Sequence, residues 1–303
     1  MQAMRYERFG GPKVLELAEV DEPAVRPGTV RIRVAAAGVN PADWKQREGL
    51  FSGGRPLAAP AVPGLEAAGT VEEVGEGVTD VRPGDEVFGF GRRTWAEVAV
   101  LDAWAVRPDD LDVLEAAASP VAVETAIRAL DAVRVGEGDT VVISGAAGGV
   151  GSAAIQLARA RGAIVIGTAG AANQEYVEAL GALVTTYDAG WPDRVRDLAV
   201  AEVDAAIDVA GAGVIPDLVA LTGDAGRVVS VADFSAGDHG ARTTSTPGDR
   251  TAALREAVRL HADGVLRMIV EREYRLDQAA EALDDSRAGH ARGRSVLLVG
   301  ERP

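Results

Sequence analysis

Ser144-Gly145-Ala146-Ala147-Gly148-Gly149-Val150-Gly151-Ser152 is the stretch on which the reading of this chain turns. It follows Thr140-Val141-Val142-Ile143, an apolar run of the kind that parallel sheets bury on both faces. Beyond it, Ser152 to Arg161 carries helical spacing and stops at Gly162, a residue suited to a left-handed C-cap. Strand, glycine turn and helix, in that order, build a phosphate cradle. The glycines let the backbone turn tightly and approach a pyrophosphate, while the helix start offers free N–H groups and a favourable dipole. A glycine-rich string alone also serves as a plain tight turn. Here the strand–helix context on both sides favours a dinucleotide.

Outward from the turn, the alternation continues. Ile164-Val165-Ile166-Gly167 reads as the next strand, followed by a helix over 174–180 and strands near 183–187, 204–209 and 226–231, with a helix at 214–221. This predicts a doubly wound parallel sheet with right-handed crossovers. Residues 233–250 are polar and Gly-rich and read as a loop. A helix over 251–262, a strand near 268–274, a helix at 276–285 and a strand at 295–299 complete the chain. Toward the N-terminus the pattern differs. The first ~110 residues alternate apolar and polar, as in Thr29 to Val34 and Gly69 to Val74. Turns such as Arg82-Pro83-Gly84-Asp85 break them, which predicts an antiparallel, barrel-like β unit. Leu114 to Val133 reads as one helix, capped by Asp112 or Asp109. The fold class is therefore α/β, in two domains.

The end of the second strand of the parallel sheet selects the dinucleotide. An NADH site places Asp or Glu there to hold the ribose hydroxyls. This chain has Gly167-Thr168-Ala169-Gly170-Ala171-Ala172-Asn173, with no acid before Glu175. Without a carboxylate to repel a 2′-phosphate, NADPH is the expected cofactor, although no Lys or Arg stands nearby in the sequence.

Composition narrows the rest. The net charge of -15 sets the chain against a nucleic-acid partner. No apolar run approaches the ~20 residues of a membrane span, and the N-terminus lacks the apolar stretch of a secretory signal, so the expected place is the cytoplasm. Cys is absent, which removes disulfides, thiolate nucleophiles and Cys-held zinc. The three His, at 239, 261 and 290, lack metal-ligand spacing, and no metal site is expected.

Several motifs, in order and over nearly the whole length, resemble the zinc-free quinone oxidoreductase branch of the medium-chain dehydrogenase/reductase superfamily. They are Gly10-Gly11-Pro12-Lys13-Val14-Leu15, Ala37-Gly38-Val39-Asn40-Pro41-Ala42-Asp43-Trp44-Lys45, Pro63-Gly64-Leu65-Glu66-Ala67-Ala68-Gly69, Val81-Arg82-Pro83-Gly84-Asp85-Glu86, the glycine turn, and Gly289-His290-Ala291-Arg292-Gly293-Arg294. The resemblance implies a GroES-like catalytic domain made of residues 1–117 and 265–303, with a Rossmann domain over 118–264. The active site would lie in the cleft between them. Zinc-dependent relatives carry His where this chain has Leu65. The resemblance further implies a homodimer.

Carried over residue by residue, it places Asn40 at the nicotinamide and substrate and Thr125 at the nicotinamide end. Ala147, Gly148, Gly149 and Val150 form the pyrophosphate turn. Val231 and Ala232 follow the strand that flanks the nicotinamide, Val209 is a cofactor-site candidate that stands where the family has Ser, and Thr168, Tyr187 and Arg287 gather near the adenosine phosphate. The implied activity is NADPH-dependent hydride transfer to a small-molecule quinone or α,β-unsaturated carbonyl. Negative charge then develops on a carbonyl oxygen, where a positioned donor lowers the barrier. Asn40, Asp43 and Lys45 are the candidate catalytic residues. The plainer alternative pairs Asp43 with Lys45, and Trp44 is either a stacking platform or core. Solvent water is the expected proton source. The rival readings are a dinucleotide-binding redox sensor with little turnover and an enoyl-thioester reductase.

Overall fold

The computed structural model describes residues 1–289 and 291–300. The chain forms two compact units: Met1–Val121 with Arg250–His261 and Met268–Pro303, and Ala122–Asp249 with Ala262–Arg267. The first boundary falls four residues beyond the expected 117, and residues 250–261 group with the first unit rather than the second.

In the first unit, β1 (Gln2–Arg5) and β2 (Glu16–Glu19) pair antiparallel. Four longer strands follow: β3 (Val30–Val39), β4 (Glu66–Val74), β5 (Glu86–Arg92) and β6 (Val98–Val106). They run antiparallel in chain order, and β6 returns to pair with β3, so the sheet closes on itself. Val30, Ile32 and Val34 point into the core while Arg31 and Arg33 do not, the period-two pattern of a sheet covered on one face. From Ala36 onward β3 is buried on both faces, because α2 (Val113–Ala118) packs across it and β4. Asp112 caps α2, accepting from the Leu114 amide at 2.8 Å. A seven-residue helix that the sequence reading passed over, α1 (Pro41–Arg47), follows β3.

The helix expected over 114–133 is two. Pro120 cannot donate to the helical ladder, and the chain restarts there as α3 (Pro120–Ala132). The second unit then builds a six-stranded sheet, parallel throughout. Its strands are β7 (Thr140–Ser144), β8 (Ile164–Thr168), β9 (Leu183–Thr185), β10 (Ala205–Asp208), β11 (Val228–Ser230) and β12 (Arg242–Thr243). Their spatial order is β12-β11-β10-β7-β8-β9, so the winding reverses between β7 and β10. That is the Rossmann order, in which ligands bind outside the carboxyl ends of the strands at the reversal. β7 is buried on both faces, as its apolar run predicts. The connecting helices are α4 (Gly149–Ala160), α5 (Gln174–Ala179), α6 (Trp191–Leu198) and α7 (Ile215–Thr222). α6 is absent from the sequence reading, and β12 lies inside the stretch read as a loop.

The chain closes through α8 (Arg250–Ala262), β13 (Val270–Arg275), α9 (Ala279–Ala288) and β14 (Arg294–Leu298). β14 pairs with β3, which extends the first sheet. No helix among the described residues is long and apolar enough to cross a membrane.

Candidate functional site

In the Rossmann unit the glycine turn stands at the end of β7. Gly145 takes φ +79°, in the left-handed region open to glycine. Gly151 serves close approach instead: a Cβ there would lie 2.8 Å from Ala146 Cα and closer still to the Gly145 carbonyl oxygen. The Ser152 hydroxyl donates to the Gly148 carbonyl at 2.8 Å and lies 2.9 Å from the Tyr176 hydroxyl, which fixes the turn on α4 and α5. α4 starts at Gly149, three residues before the expected Ser152, and no side chain caps it. Gly148, Gly149 and Val150 are half-buried, and Ala147 is buried. Uncapped amides at the positive end of a helix dipole fit the phosphates of a dinucleotide.

On the β8 side, Thr168 ends its strand, buried, and no acid follows it. Tyr187 is exposed, and its hydroxyl would lie 3.3 Å from a Cβ at Gly170, so Thr168 and Tyr187 share one edge of the sheet. A cation also reaches this edge. Arg194 of α6 donates from Nε to Thr185 Oγ1 at 2.9 Å and from Nη1 to the Ala189 carbonyl at 2.9 Å, and it pairs with Asp188. The Thr186 hydroxyl, more than Arg194, holds the Asp188 carboxyl below its ordinary range. The sequence reading missed Arg194 because it missed α6, although Trp191-Pro192 after Gly190 is a helix-start signal.

On the β10 side, Val209 packs against the glycine turn, with Cγ2 3.0 Å from where a Gly145 Cβ would stand, and its amide donates to the Ser144 carbonyl at 3.1 Å. The Val231 amide donates to the Asp208 carbonyl at 3.0 Å. Val209, Val231 and Ala232 therefore stand together beside the turn. Thr125, on α3, lies 3.4 Å from Arg128 Nη2, and Arg128 also binds Glu124 and the Thr244 carbonyl.

The barrel unit holds a buried polar cluster. Asn40, at the start of α1, donates from Nδ2 to Glu66 Oε1 at 2.7 Å, and its backbone amide donates to Asp43 Oδ2 at 2.8 Å. Glu66 Oε1 also accepts from Arg294 Nη2, and Oε2 accepts from the Val121 amide at 2.7 Å. Arg294 Nε donates to the Ala118 carbonyl at 2.7 Å. Asp43 thus anchors Asn40 and does not pair with Lys45. One of the two Asn40 amide hydrogens is taken by Glu66, and the second has no partner among the described residues. Glu66 and Arg294 were not among the candidates, although one acid heading the small-residue strand start Ala67-Ala68-Gly69 is a signal for a buried partner.

Lys45 and Arg287 both lie over the Trp44 ring, each 5.6 Å from its centroid, and Trp44 packs on the barrel core. Arg287 also pairs with Glu48 at 2.7 Å, so in this structure it is engaged within the barrel unit. His290 lies outside the described residues.

Burial pushes the Asp43 carboxyl up to about 7, reinforced by Glu66 and opposed by the Asn40 and Gly64 amides and Arg294. Below about pH 4 the group is protonated in both folded and unfolded chains. Between about pH 4 and about pH 7 the unfolded chain has lost a proton that the folded chain keeps, so this group makes stability fall across that window and no further above it. Asp43→Asn removes the titration. Wild-type stability relative to that variant is expected to drop by about 2–4 kcal/mol between about pH 4 and about pH 8 in urea unfolding. A constant difference across that range would contradict a buried, titrating Asp43.

Two family models match the chain: the alcohol dehydrogenase GroES-like domain over residues 26–107 and the zinc-binding dehydrogenase family over residues 149–263. The quinone oxidoreductase of Rattus norvegicus is 33% identical over 99% of this chain and 98% of its own length. An NADPH-dependent alkenal/one oxidoreductase of Arabidopsis thaliana is 37% identical over 60% of this chain and 51% of its own. The structure of Escherichia coli quinone oxidoreductase complexed with NADPH superposes with a TM-score of 0.86 at 25% identity, covering 99% of this chain and 100% of that one. A GroES-like unit with a Rossmann unit and its phosphate turn defines a nicotinamide-dinucleotide oxidoreductase. The chain belongs to the quinone oxidoreductase branch of the medium-chain dehydrogenase/reductase superfamily.

Proposed function

We propose that this protein is an NADPH-dependent, zinc-independent reductase that delivers hydride to a quinone or to the β-carbon of an α,β-unsaturated carbonyl. The observation that carries the NADPH reading is the carboxyl end of β8. Thr168 and Tyr187 stand there in place of an acid, and Arg194, already paired with Asp188, supplies N–H donors at the neighbouring strand end. The NADPH in the Escherichia coli structure and the name of the Arabidopsis relative support the same cofactor. The absence of Cys, with Leu65 ahead of Glu66, supports chemistry without zinc.

The cofactor, when bound, supplies the hydride. The chain binds and orients: Ala147, Gly148, Gly149 and Val150 hold the pyrophosphate, Thr168 and Tyr187 the adenosine end, and Thr125, Val209, Val231 and Ala232 the nicotinamide end. Asn40, fixed by Glu66 and Asp43, offers its remaining amide hydrogen to the carbonyl oxygen as charge builds on it. Lys45 adds positive charge on α1, and water supplies the proton.

NADPH oxidation by purified protein with phenanthrenequinone, methyl vinyl ketone and crotonyl-CoA tests the proposal. Turnover with the quinone or the enone is expected. Turnover with crotonyl-CoA alone would replace the substrate class by a thioester, and binding of NADPH without turnover on any acceptor would favour a sensor.

A further inference from the structure

Asp208 ends β10 beside the point where the sheet reverses, and it is fully buried. Its Oδ1 accepts from the amides of Ala210 and Gly211, both at 3.1 Å, so the carboxylate shapes the turn that carries Val209. Its Oδ2 accepts from the Ser230 hydroxyl at 2.7 Å. Ser230 Oγ in turn accepts from the amides of Ala232 at 3.1 Å and Asp233 at 2.8 Å, which shapes the turn carrying Val231 and Ala232. One carboxylate therefore organises two strand ends, the second through a single hydroxyl. The turns also touch: a Cβ at Gly211 would lie 3.1 Å from Ala232 Cβ.

A hydroxyl oxygen accepts through two lone pairs, and two backbone amides occupy those of Ser230. Its one hydrogen is left for Asp208, where the side-chain Oδ2 at 2.7 Å is nearer than the backbone carbonyl at 3.3 Å. An amide at position 208 would set its NH2 either against the filled Ser230 oxygen or against the Ala210 and Gly211 amides, which are themselves donors. The adenosine half of a dinucleotide lies over the β8 end and the pyrophosphate over the β7 turn. The β10 and β11 turns are on the other side of β7, where the nicotinamide half must lie.

We propose that Asp208, acting through Ser230, is the positioning residue for the nicotinamide half of the cofactor site. It sets the β10 and β11 turns as one surface without touching the ligand. The inference rests on the dinucleotide reading above, and it predicts a separation between the two halves of the cofactor. Asp208→Asn and Ser230→Ala are expected to weaken NADPH binding by roughly tenfold, because turns released from each other must be reordered when the nicotinamide half binds. They leave 2′-phospho-AMP, which has no nicotinamide, bound as in the wild type. Ser230→Thr keeps the hydroxyl and restores NADPH affinity.

Calorimetric titration of both ligands into the wild type and the three variants reads this directly. Equal weakening of NADPH and 2′-phospho-AMP, or unchanged NADPH affinity in Ser230→Ala, would overturn the positioning role and leave the cofactor reading intact. Failure of the wild type to bind either ligand would overturn the cofactor reading and this inference with it. If Asp208→Asn does not fold, the Ser230 pair decides alone, because the loss and return of one hydroxyl carry the same prediction.

Discussion

Arg294→Met is expected to lower the unfolding free energy by about 3–5 kcal/mol, the usual consequence of stranding one partner of a buried ion pair. Glu66 is 0% exposed and Arg294 5%. The pair joins β4 to β14, and through Ala118 and Val121 it also ties the start of α3 and the end of α2 to the barrel. Without Arg294, Glu66 keeps only the Asn40 amide and the Val121 N–H, so it must be held as a poorly compensated charge or take up a proton. Burial already pushes the Glu66 carboxyl upward, against Arg294 and the two hydrogen bonds. The double variant Glu66→Gln with Arg294→Met is therefore expected to be more stable than the sum of the single losses predicts. Urea unfolding of the four proteins measures that coupling. A loss below about 1 kcal/mol for Arg294→Met would place the pair among solvent-relaxed surface bridges.

Gly151→Ala is the second large effect, and it falls on binding. The added methyl would overlap Ala146 and the Gly145 carbonyl, which are backbone and cannot step aside. The first turn of α4 must shift, carrying the amides of Gly149 and Val150 away from the phosphates. NADPH affinity is expected to fall by at least about tenfold, or about 1.4 kcal/mol. Gly148→Ala is the companion. Its Cβ would meet only the Gly145 carbonyl oxygen, at 3.5 Å, and its φ of −75° suits any residue. That variant is expected to melt like the wild type and to lose affinity only because a phosphate approaches the same space. Equal NADPH affinity in both variants and the wild type would remove the phosphate from this turn.

What was legible in the sequence was local. The β7 run, the glycine turn and the alternation of strands with helices each lie within a few residues of one another, and the parallel sheet followed from them. Break points were less legible: one helix became two at Pro120, and α6, polar along most of its length, left little apolar periodicity to read. Short α1 was hidden inside a motif quoted for its chemistry. Pairings across long separations were not legible. Nothing near Glu66 in sequence announces Arg294, and nothing near Val98 announces that β6 returns to β3. Asp208 shows the limit most clearly. An acid closing Ala205-Ala206-Ile207 signals a strand end, but its hold on the β11 turn depends on Ser230 arriving in register beside it. The candidate site was thus readable as a set of turns, while the buried acids that hold those turns and Asn40 in place emerged only from the fold.

Cofactor choice is measured by kcat/KM for NADPH and NADH with phenanthrenequinone as the common acceptor. Turnover is expected with a preference for NADPH of about tenfold or more, worth about 1.4 kcal/mol at the β8 end. Equal or better use of NADH, or no turnover with either cofactor, would contradict the proposed function.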